Sequence, residues 1–174
     1  PPVGVAGILG EKFYYQPIEF SSRKRELNLP SPYLTGVLDR FLSNRKLTPL
    51  LETNRGCPFG CTYCAWGSAY QNKIRPRNIQ TIYEEMEYVA EKSCGQVLWI
   101  LCDANFGILK RDIDIASHMR LIMDRYGYPK TVTLWGSKNT TNRNIEISKL
   151  MNNTTGYIAL QSTDAKVLEL SGRG

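Results

Sequence analysis

The segment that decides the fold reads Asn54-Arg55-Gly56-Cys57-Pro58-Phe59-Gly60-Cys61-Thr62-Tyr63-Cys64. Its cysteines follow the spacing C-x3-C-x2-C, which directs three thiolates on one short loop toward a single centre. Gly56 and Gly60 allow the backbone to turn tightly around that centre. Thiolates are soft ligands, so the loop predicts a zinc ion or an iron–sulfur cluster.

Apolar strands alternate with amphipathic helices on either side of this loop, from residue 49 to the end of the chain. The strands are expected at residues 49–53, 96–102, 131–135 and 157–161. The helices are expected at residues 79–92, 112–126 (ended by Gly127), 144–151 and from Asp164 onward. Four β-α units in succession predict a parallel sheet with right-handed crossovers. The strand order stays open between a doubly wound sheet and a segment of a (β/α) barrel, and both place ligands at the carboxyl ends of the strands.

Residues 1–48 are predicted to be a connecting segment. Pro30 and Pro32 stand two residues apart, which excludes a helix there and favours an extended path. A short helix is expected over residues 35–42. The chain has 174 residues, whereas a complete (β/α)8 barrel takes about 250. Any barrel in this chain is therefore expected to be part of a longer enzyme.

The composition indicates a folded, soluble protein. Hydrophobic residues make up 42% and charged residues 22% of the chain, which argues against disorder. The longest apolar run, residues 97–102, has the length of a strand, so no membrane span is expected. The net charge of +6 lies in short clusters without interleaved aromatic residues, and we do not expect a nucleic-acid partner. Five cysteines, an odd number, argue for a reducing compartment, and the expected location is cytoplasmic.

The number of thiolates separates the two kinds of metal site. A structural zinc site takes four protein ligands, usually as two spaced pairs, and no fourth Cys or His stands at such a spacing from the loop. Four cysteines are also usual for a cluster that only transfers electrons. Three ligands leave one iron open for a substrate or a cofactor. Cys94 and Cys102, at a helix end and a strand end, are expected to be small packed residues and not ligands.

The cysteine spacing, with an aromatic residue directly before the last cysteine, resembles the radical S-adenosylmethionine (SAM) enzyme superfamily. The resemblance implies that Cys57, Cys61 and Cys64 hold three irons of a [4Fe-4S] cluster and that SAM chelates the fourth. It also implies that reduction of the cluster cleaves SAM to methionine and a 5′-deoxyadenosyl radical, which abstracts hydrogen. The implied fold is a partial TIM-type (β/α) barrel, of which residues 49–174 are the first four β/α units and the N-terminal part of the radical SAM core.

The resemblance also assigns cofactor-binding residues. Tyr63 stands where the family places an aromatic residue near the adenine. After the second strand, Cys102-Asp103-Ala104-Asn105-Phe106 departs from the common Gly-Gly-Glu and is similar to an Asp-x-Asn-Phe variant, so that Asp103 or Asn105 accepts a hydrogen bond from the methionyl amino group. Gln161 and Ser162 are the choices for the ribose or the carboxylate. Asp103 as a loop cap, and Gln161 and Ser162 as caps of the last helix, are the structural alternatives. No catalytic residue is assigned.

The Asp-x-Asn-Phe element resembles the cobalamin-binding subgroup of the superfamily. In that subgroup residues 1–48 correspond to a linker after an upstream cobalamin-binding domain, which this sequence does not contain. The implied chemistry is methyl transfer or rearrangement on an unknown small-molecule or macromolecular substrate, with an electron donor such as flavodoxin or ferredoxin. Two alternatives stay open: a cobalamin-free, methylthiotransferase-like radical SAM enzyme, and a zinc-binding module without enzyme activity.

Overall fold

A computed structural model describes residues 6–16, 29–65, 73–152 and 159–172. In chain order the elements are β1 (Ala6–Leu9), β2 (Lys12–Tyr15), α1 (Asp39–Leu42), β3 (Leu50–Leu51), β4 (Asn54–Arg55), β5 (Arg75–Pro76), α2 (Ile79–Lys92), β6 (Leu98–Leu101), α3 (Asp112–Tyr126), β7 (Thr131–Thr133), α4 (Thr141–Leu150) and α5 (Ala165–Leu170). Among these, β3, β6 and β7 form a parallel sheet in that order. The predicted α/β fold with a parallel sheet is therefore confirmed.

The core lies between one face of this sheet and the helices. Trp99 and Leu101 on β6 are buried, whereas the alternate residues Leu98 and Ile100 are half-buried, so the sheet presents one face to the core. Helix α2 packs beside α3, and α3 beside α4. Their apolar stripes join the buried side of β6 and β7 in one cluster. Because β3 and β6 are parallel neighbours, the loops that follow them leave from the same edge of the sheet.

The two long helices have the bounds predicted from the sequence, because each has a strong local end signal. Asn78 caps α2, its side chain accepting hydrogen bonds from the backbone N–H groups of Gln80 and Thr81. Gly127 ends α3 in the left-handed conformation, with φ of 73°, and its N–H donates to the carbonyl of Met123. Asp164 caps α5 by accepting from the N–H of Val167 at 3.0 Å.

Other elements differ from the prediction. The first helix is only the four residues of α1, because Gly36 at φ of 74° breaks the helical path that was expected from residue 35. Helix α4 begins three residues earlier than expected. The strands of the sheet are shorter than predicted. Of the fourth strand expected at 157–161, residues 159–161 are not in a strand, and Tyr157 and Ile158 lie outside the described residues.

The segment before residue 49 contains a hairpin that was predicted only as connecting chain. Strands β1 and β2 pair antiparallel around Gly10 and Glu11, and all eight of their residues are exposed. Nearer the sheet, Tyr33 is buried, and its hydroxyl donates to the carbonyl of Leu50 and accepts from the N–H of the same residue. Tyr33 thus satisfies both backbone groups of Leu50 at the edge strand. No helix among the described residues is long and apolar enough to cross a membrane.

One buried ion pair links α2 to the chain that precedes it. Glu85 lies on the buried stripe of α2 and is 2% exposed, and its carboxylate accepts two hydrogen bonds from the guanidinium of Arg77. This pairing raises the pKa of Arg77 above its ordinary value. The same guanidinium donates to the carbonyl of Glu52 at 2.8 Å, so the pair connects α2 with the chain just after β3.

Replacing Glu85 by alanine is expected to lower the free energy of unfolding by roughly 3 kcal/mol, because it leaves the partly buried charge of Arg77 without its partner. Urea unfolding followed by circular dichroism measures this loss. The control is Glu84→Ala at the neighbouring exposed position of α2, which should change the free energy by less than about 0.5 kcal/mol. Equal losses in the two variants would contradict the assigned role of the ion pair.

Candidate functional site

The cysteine loop leaves the sheet at the carboxyl end of β3. Cys57 and Cys61 are 8% and 9% exposed, and Cys64 is half-buried. Gly56 has a φ of 108°, a conformation that favours glycine, and it turns the chain into the loop. The N–H of Cys64 donates to the carbonyl of Cys61, which closes a tight turn between these two cysteines. None of the five cysteines forms a disulfide.

The three thiols do not meet at one point. Within the described residues, which include every cysteine and the histidine, no three Cys, His, Asp or Glu side chains are placed to hold a single metal ion. A mononuclear zinc site needs such a closed set of donors. An iron–sulfur cluster spreads its thiolate ligands over separate irons and does not need it. The loop itself supplies three thiolates, one fewer than the four protein ligands of a structural zinc site.

Asp103, directly after β6, ties the cysteine loop to the sheet. Its carboxylate is 1% exposed and accepts from the backbone N–H groups of Thr53 and Asn54, at 2.7 and 3.3 Å. It also accepts from the Thr53 hydroxyl, and from the Asn54 side-chain amide at 2.7 Å. Four donors occupy the lone-pair directions of this carboxylate. Burial raises its pKa to about 6, although the hydrogen bonds favour the charged form.

Two arginines donate to backbone carbonyl groups next to the cysteine loop. The backbone N–H of Arg77 donates to the carbonyl of Thr53 at 3.0 Å. Arg111, just before α3, donates to the carbonyls of Thr53 and Arg77. Together with the bond from the Arg77 guanidinium to the carbonyl of Glu52, these contacts satisfy the backbone acceptors of Glu52, Thr53 and Arg77. The chain entering the cysteine loop is therefore fixed from both the sheet side and the helix side.

Asn105 lies against the first cysteine of the loop. Its side-chain amide donates to Cys57 Sγ with Nδ2 3.1 Å from the sulfur, and both residues are buried. The next residue, Phe106, is fully buried and extends the pairing of β6 with β7: its N–H donates to the carbonyl of Trp135, and its carbonyl accepts from Ser137, each at 2.8 Å. Asp103 and Phe106 thus anchor Asn105 on both sides.

The remaining predicted cofactor residues are more exposed. Tyr63 is 54% exposed on the cysteine loop. Gln161 is exposed, with a φ of 70°. Ser162 is half-buried, and its hydroxyl accepts from the N–H of Asp164 within the turn that starts α5. The other end of this helix reaches the loop, since the N–H of Thr62 donates to the carbonyl of Ser171 at 3.1 Å. The structure therefore brings Asp103 and Asn105 to the cysteine loop, whereas Gln161 and Ser162 precede the end of α5 opposite to the one that contacts the loop.

Three further side chains lie near the ends of the strands and helices. Lys138, after β7, lies with its Nζ 6.0 Å from the centre of the Phe59 ring on the cysteine loop. Cys94 is half-buried and donates to the carbonyl of Ser43. Cys102 is exposed, so the expectation that it is a packed residue is wrong: it follows the half-buried face of β6 and not the core face.

Comparison with known proteins finds relatives of this chain. The chain is 39% identical over 160 residues to 2-(S-pantetheinyl)-carbapenam-3-carboxylate methyltransferase of Streptantibioticus cattleyicolor, a match covering 86% of this chain and 23% of that protein. It is 36% identical, with the same coverage, to the cobalamin-dependent radical SAM methyltransferase TokK of Streptomyces tokunonensis. Both relatives are methyltransferases by name, and TokK is named as a cobalamin-dependent radical SAM enzyme. The resemblance predicted from the cysteine loop is thereby confirmed.

A more distant relative and a solved structure also match this chain. The chain is 24% identical over 152 residues to an uncharacterized methyltransferase of Pyrococcus horikoshii, covering 86% of this chain and 32% of that protein. The structure of OxsB, a cobalamin-dependent SAM radical enzyme, superposes with a TM-score of 0.56 at 16% identity, over 99% of this chain and 26% of OxsB. That likeness shows a shared fold. The chain spans about a quarter of the length of TokK and of the carbapenam methyltransferase, and no protein-family model matches it.

Sequence reasoning missed the residues that hold the loop in place: Thr53, Asn54, Arg77, Glu85 and Arg111. One of them carried a signal. Glu85 stands on the apolar stripe of α2 between Ile82 and Met86, and a carboxylate at a buried position requires a charged partner. The others contact residues far away in the sequence or donate to backbone carbonyls, and neither kind of contact leaves a local pattern.

The tie formed by Asp103 predicts a pH dependence of stability. Because its pKa is raised from 3.8 to about 6 in the folded state, the folded protein binds this proton more tightly than the unfolded chain does. The contribution of Asp103 to the free energy of unfolding is fully present below about pH 4. It decreases by at most about 3 kcal/mol as the pH rises to about 6. Asp103→Asn removes the titrating group and should flatten this slope. Urea unfolding between pH 4 and 7 measures it.

Asp114→Asn is the control for this experiment, because Asp114 is an exposed carboxylate on α3. We expect this variant to keep the slope of the unaltered protein. Burial also raises the pKa of Asp112, so a smaller slope should persist in Asp103→Asn. Identical slopes in Asp103→Asn and in the unaltered protein would show that Asp103 does not titrate in this range.

Proposed function

We propose that this chain is part of a radical SAM methyltransferase that works with cobalamin. The observation that carries the proposal is the meeting of the cysteine loop and the Asp103–Phe106 segment at the carboxyl ends of β3 and β6, with Asn105 against Cys57. Its relatives are named as methyltransferases. In this proposal Cys57, Cys61 and Cys64 bind a [4Fe-4S] cluster, and SAM completes the coordination of the fourth iron. When bound, such a cluster supplies the electron that cleaves SAM.

The fit of the loop to a cluster rests on burial and ligand chemistry. Two of the three thiols are nearly buried, so the protein limits contact between the metal and water. Soft thiolates suit iron–sulfur chemistry. A zinc-binding module, the alternative of a different class, is disfavoured because the loop has three cysteines and no fourth Cys or His stands at the spacing of a structural zinc site.

Asn105 is the better candidate for the methionyl amino group of SAM. The acceptor positions of the Asp103 carboxylate are taken by the donors of Thr53 and Asn54. Asn105 uses its amide N–H toward Cys57 and retains a carbonyl oxygen, which is the acceptor that an ammonium group needs. Tyr63 would offer its exposed ring to the adenine. Gln161 and Ser162 stay candidates for the ribose or the carboxylate.

The sheet geometry favours a partial (β/α) barrel over a doubly wound sheet. The order β3-β6-β7 follows the chain without reversal, and right-handed crossovers between sequential neighbours put the helices on one face. Doubly wound sheets reverse their strand order and carry helices on both faces. We therefore assign residues 49–174 to the N-terminal part of a radical SAM core and residues 1–48 to a linker that follows a cobalamin-binding domain.

The proposed reaction needs further participants. Its substrate would be a methyl acceptor, and one relative is named for methylating a pantetheinyl carbapenam carboxylate. We propose a small-molecule acceptor for this protein as well. Reduction requires an electron donor, for which ferredoxin and flavodoxin are the candidate classes. The side chains of this chain would then bind and orient the cluster and SAM, while cobalamin belongs to the proposed upstream domain.

Anaerobic reconstitution with iron and sulfide tests the proposed cluster. We expect about four irons per chain and a broad absorption in the visible range, as for a [4Fe-4S] centre. The triple variant with Cys57, Cys61 and Cys64 replaced by alanine should lose both signals, because it removes every thiolate of the loop. Iron analysis and absorption spectroscopy provide the measurements.

The matched control replaces the other two cysteines, Cys94 and Cys102, by alanine. This double variant should retain about four irons, since neither residue belongs to the loop. Tight binding of a single zinc ion without any cluster would overturn the proposal. So would equal iron contents in the triple and the double variant.

A further inference from the structure

The amide of Asn105 is directed at the sulfur of Cys57. Nδ2 lies 3.1 Å from Sγ, and Asn105 and Cys57 are 7% and 8% exposed, so water competes little for this contact. Of the two ends of the amide, only the N–H group attracts a thiolate, because the carbonyl oxygen also carries negative charge. A donor held against a metal-binding sulfur affects the charge that the sulfur shares with the metal.

We infer that Asn105 is a positioning residue that sets the reduction potential of the cluster through its hydrogen bond to Cys57. The inference rests on the proposed function, in which Cys57 binds one iron. Reduction adds one electron from a low-potential donor, breaks no bond and increases the negative charge shared with Cys57 Sγ. An N–H donor stabilises the more negative state, so Asn105 raises the potential and makes the electron easier to accept.

The backbone on both sides of Asn105 keeps the donor in place. Two residues earlier, Asp103 is bound to Thr53 and Asn54 at the base of the cysteine loop. One residue later, Phe106 is bound to Trp135 and Ser137 beyond β7. The donor and the cysteine loop are thus attached to the same strand ends. Because the hydrogen bond is preorganised, little energy is spent on forming it when the cluster is reduced.

The test compares the cluster-loaded chain with Asn105→Leu, which keeps the approximate size of the side chain and removes the donor. The midpoint potential is measured by titration with dithionite and redox dyes, followed by electron paramagnetic resonance of the reduced cluster. We expect the equilibrium for reduction to become about tenfold less favourable, which lowers the potential by about 59 mV for a one-electron couple.

Gln96→Leu is the matched control. Gln96 has a buried side-chain amide and precedes the start of β6, whereas Asn105 follows the end of that strand. The amide of Gln96 donates to the carbonyl of Leu42 at 2.8 Å. Its replacement removes an amide that is about as buried as that of Asn105, so a general loosening of the sheet would affect both variants. We expect the midpoint potential of Gln96→Leu to equal that of the unaltered chain.

The possible outcomes separate this inference from the proposed function. A full cluster in Asn105→Leu with an unchanged potential overturns the inference and leaves the proposed function standing. If Asn105→Leu does not bind the cluster, the midpoint potential of Asn105→Ala decides by the same criterion. If both Asn105 variants lack the cluster while Gln96→Leu binds it, Asn105 serves the formation of the loop, and the inference is overturned. Absence of a cluster from the unaltered chain overturns both.

Discussion

The buried carboxylate of Asp103 joins the carboxyl ends of two neighbouring strands. The register between β3 and β6 ends at Leu51 and Leu101, and beyond it the backbone N–H groups of Thr53 and Asn54 need other partners. Asp103 supplies them by accepting from the N–H groups of Thr53 and Asn54 and from both of their side chains. One side chain thus satisfies two backbone donors that would otherwise be buried without a partner. The position of Cys57 relative to the sheet depends on this tie.

The carbonyl groups of the same stretch require donors, and arginines provide them. Thr53 is buried with its N–H bound to Asp103 and its carbonyl bound to Arg77 and Arg111. The cost of burying a guanidinium is reduced for Arg77 by the carboxylate of Glu85. The path from α2 to the base of the loop is therefore a chain of charge-assisted hydrogen bonds. A change on the buried face of α2 can reach the metal-binding loop through this path without touching a cysteine.

The sequence was most informative where local rules decide the structure. Helices α2 and α3 match their predicted bounds because an apolar stripe, a cap at Asn78 and a stop at Gly127 all act within a few residues. The C-x3-C-x2-C spacing led to the family, because spacing constrains how thiolates meet a metal. The hairpin of β1 and β2 was missed since its residues are exposed and pack on no core. The roles of Asp103 and Arg111 depend on partners about fifty residues away, and one sequence does not reveal such contacts.

Asp103, Asn105 and Phe106 divide three tasks among neighbouring positions. Asp103 continues the buried alternation of Trp99 and Leu101, so its carboxylate points to the same side as the core residues of β6 and meets the base of the cysteine loop. Phe106 is buried and resumes pairing beside β7. Between these two anchors, Asn105 has little freedom and presents its amide to Cys57. A carboxylate at position 105 would repel a thiolate, and an amide at position 103 would bring its own N–H group against the donors of Thr53 and Asn54. The charges around each position therefore explain why position 103 carries an acid and position 105 an amide.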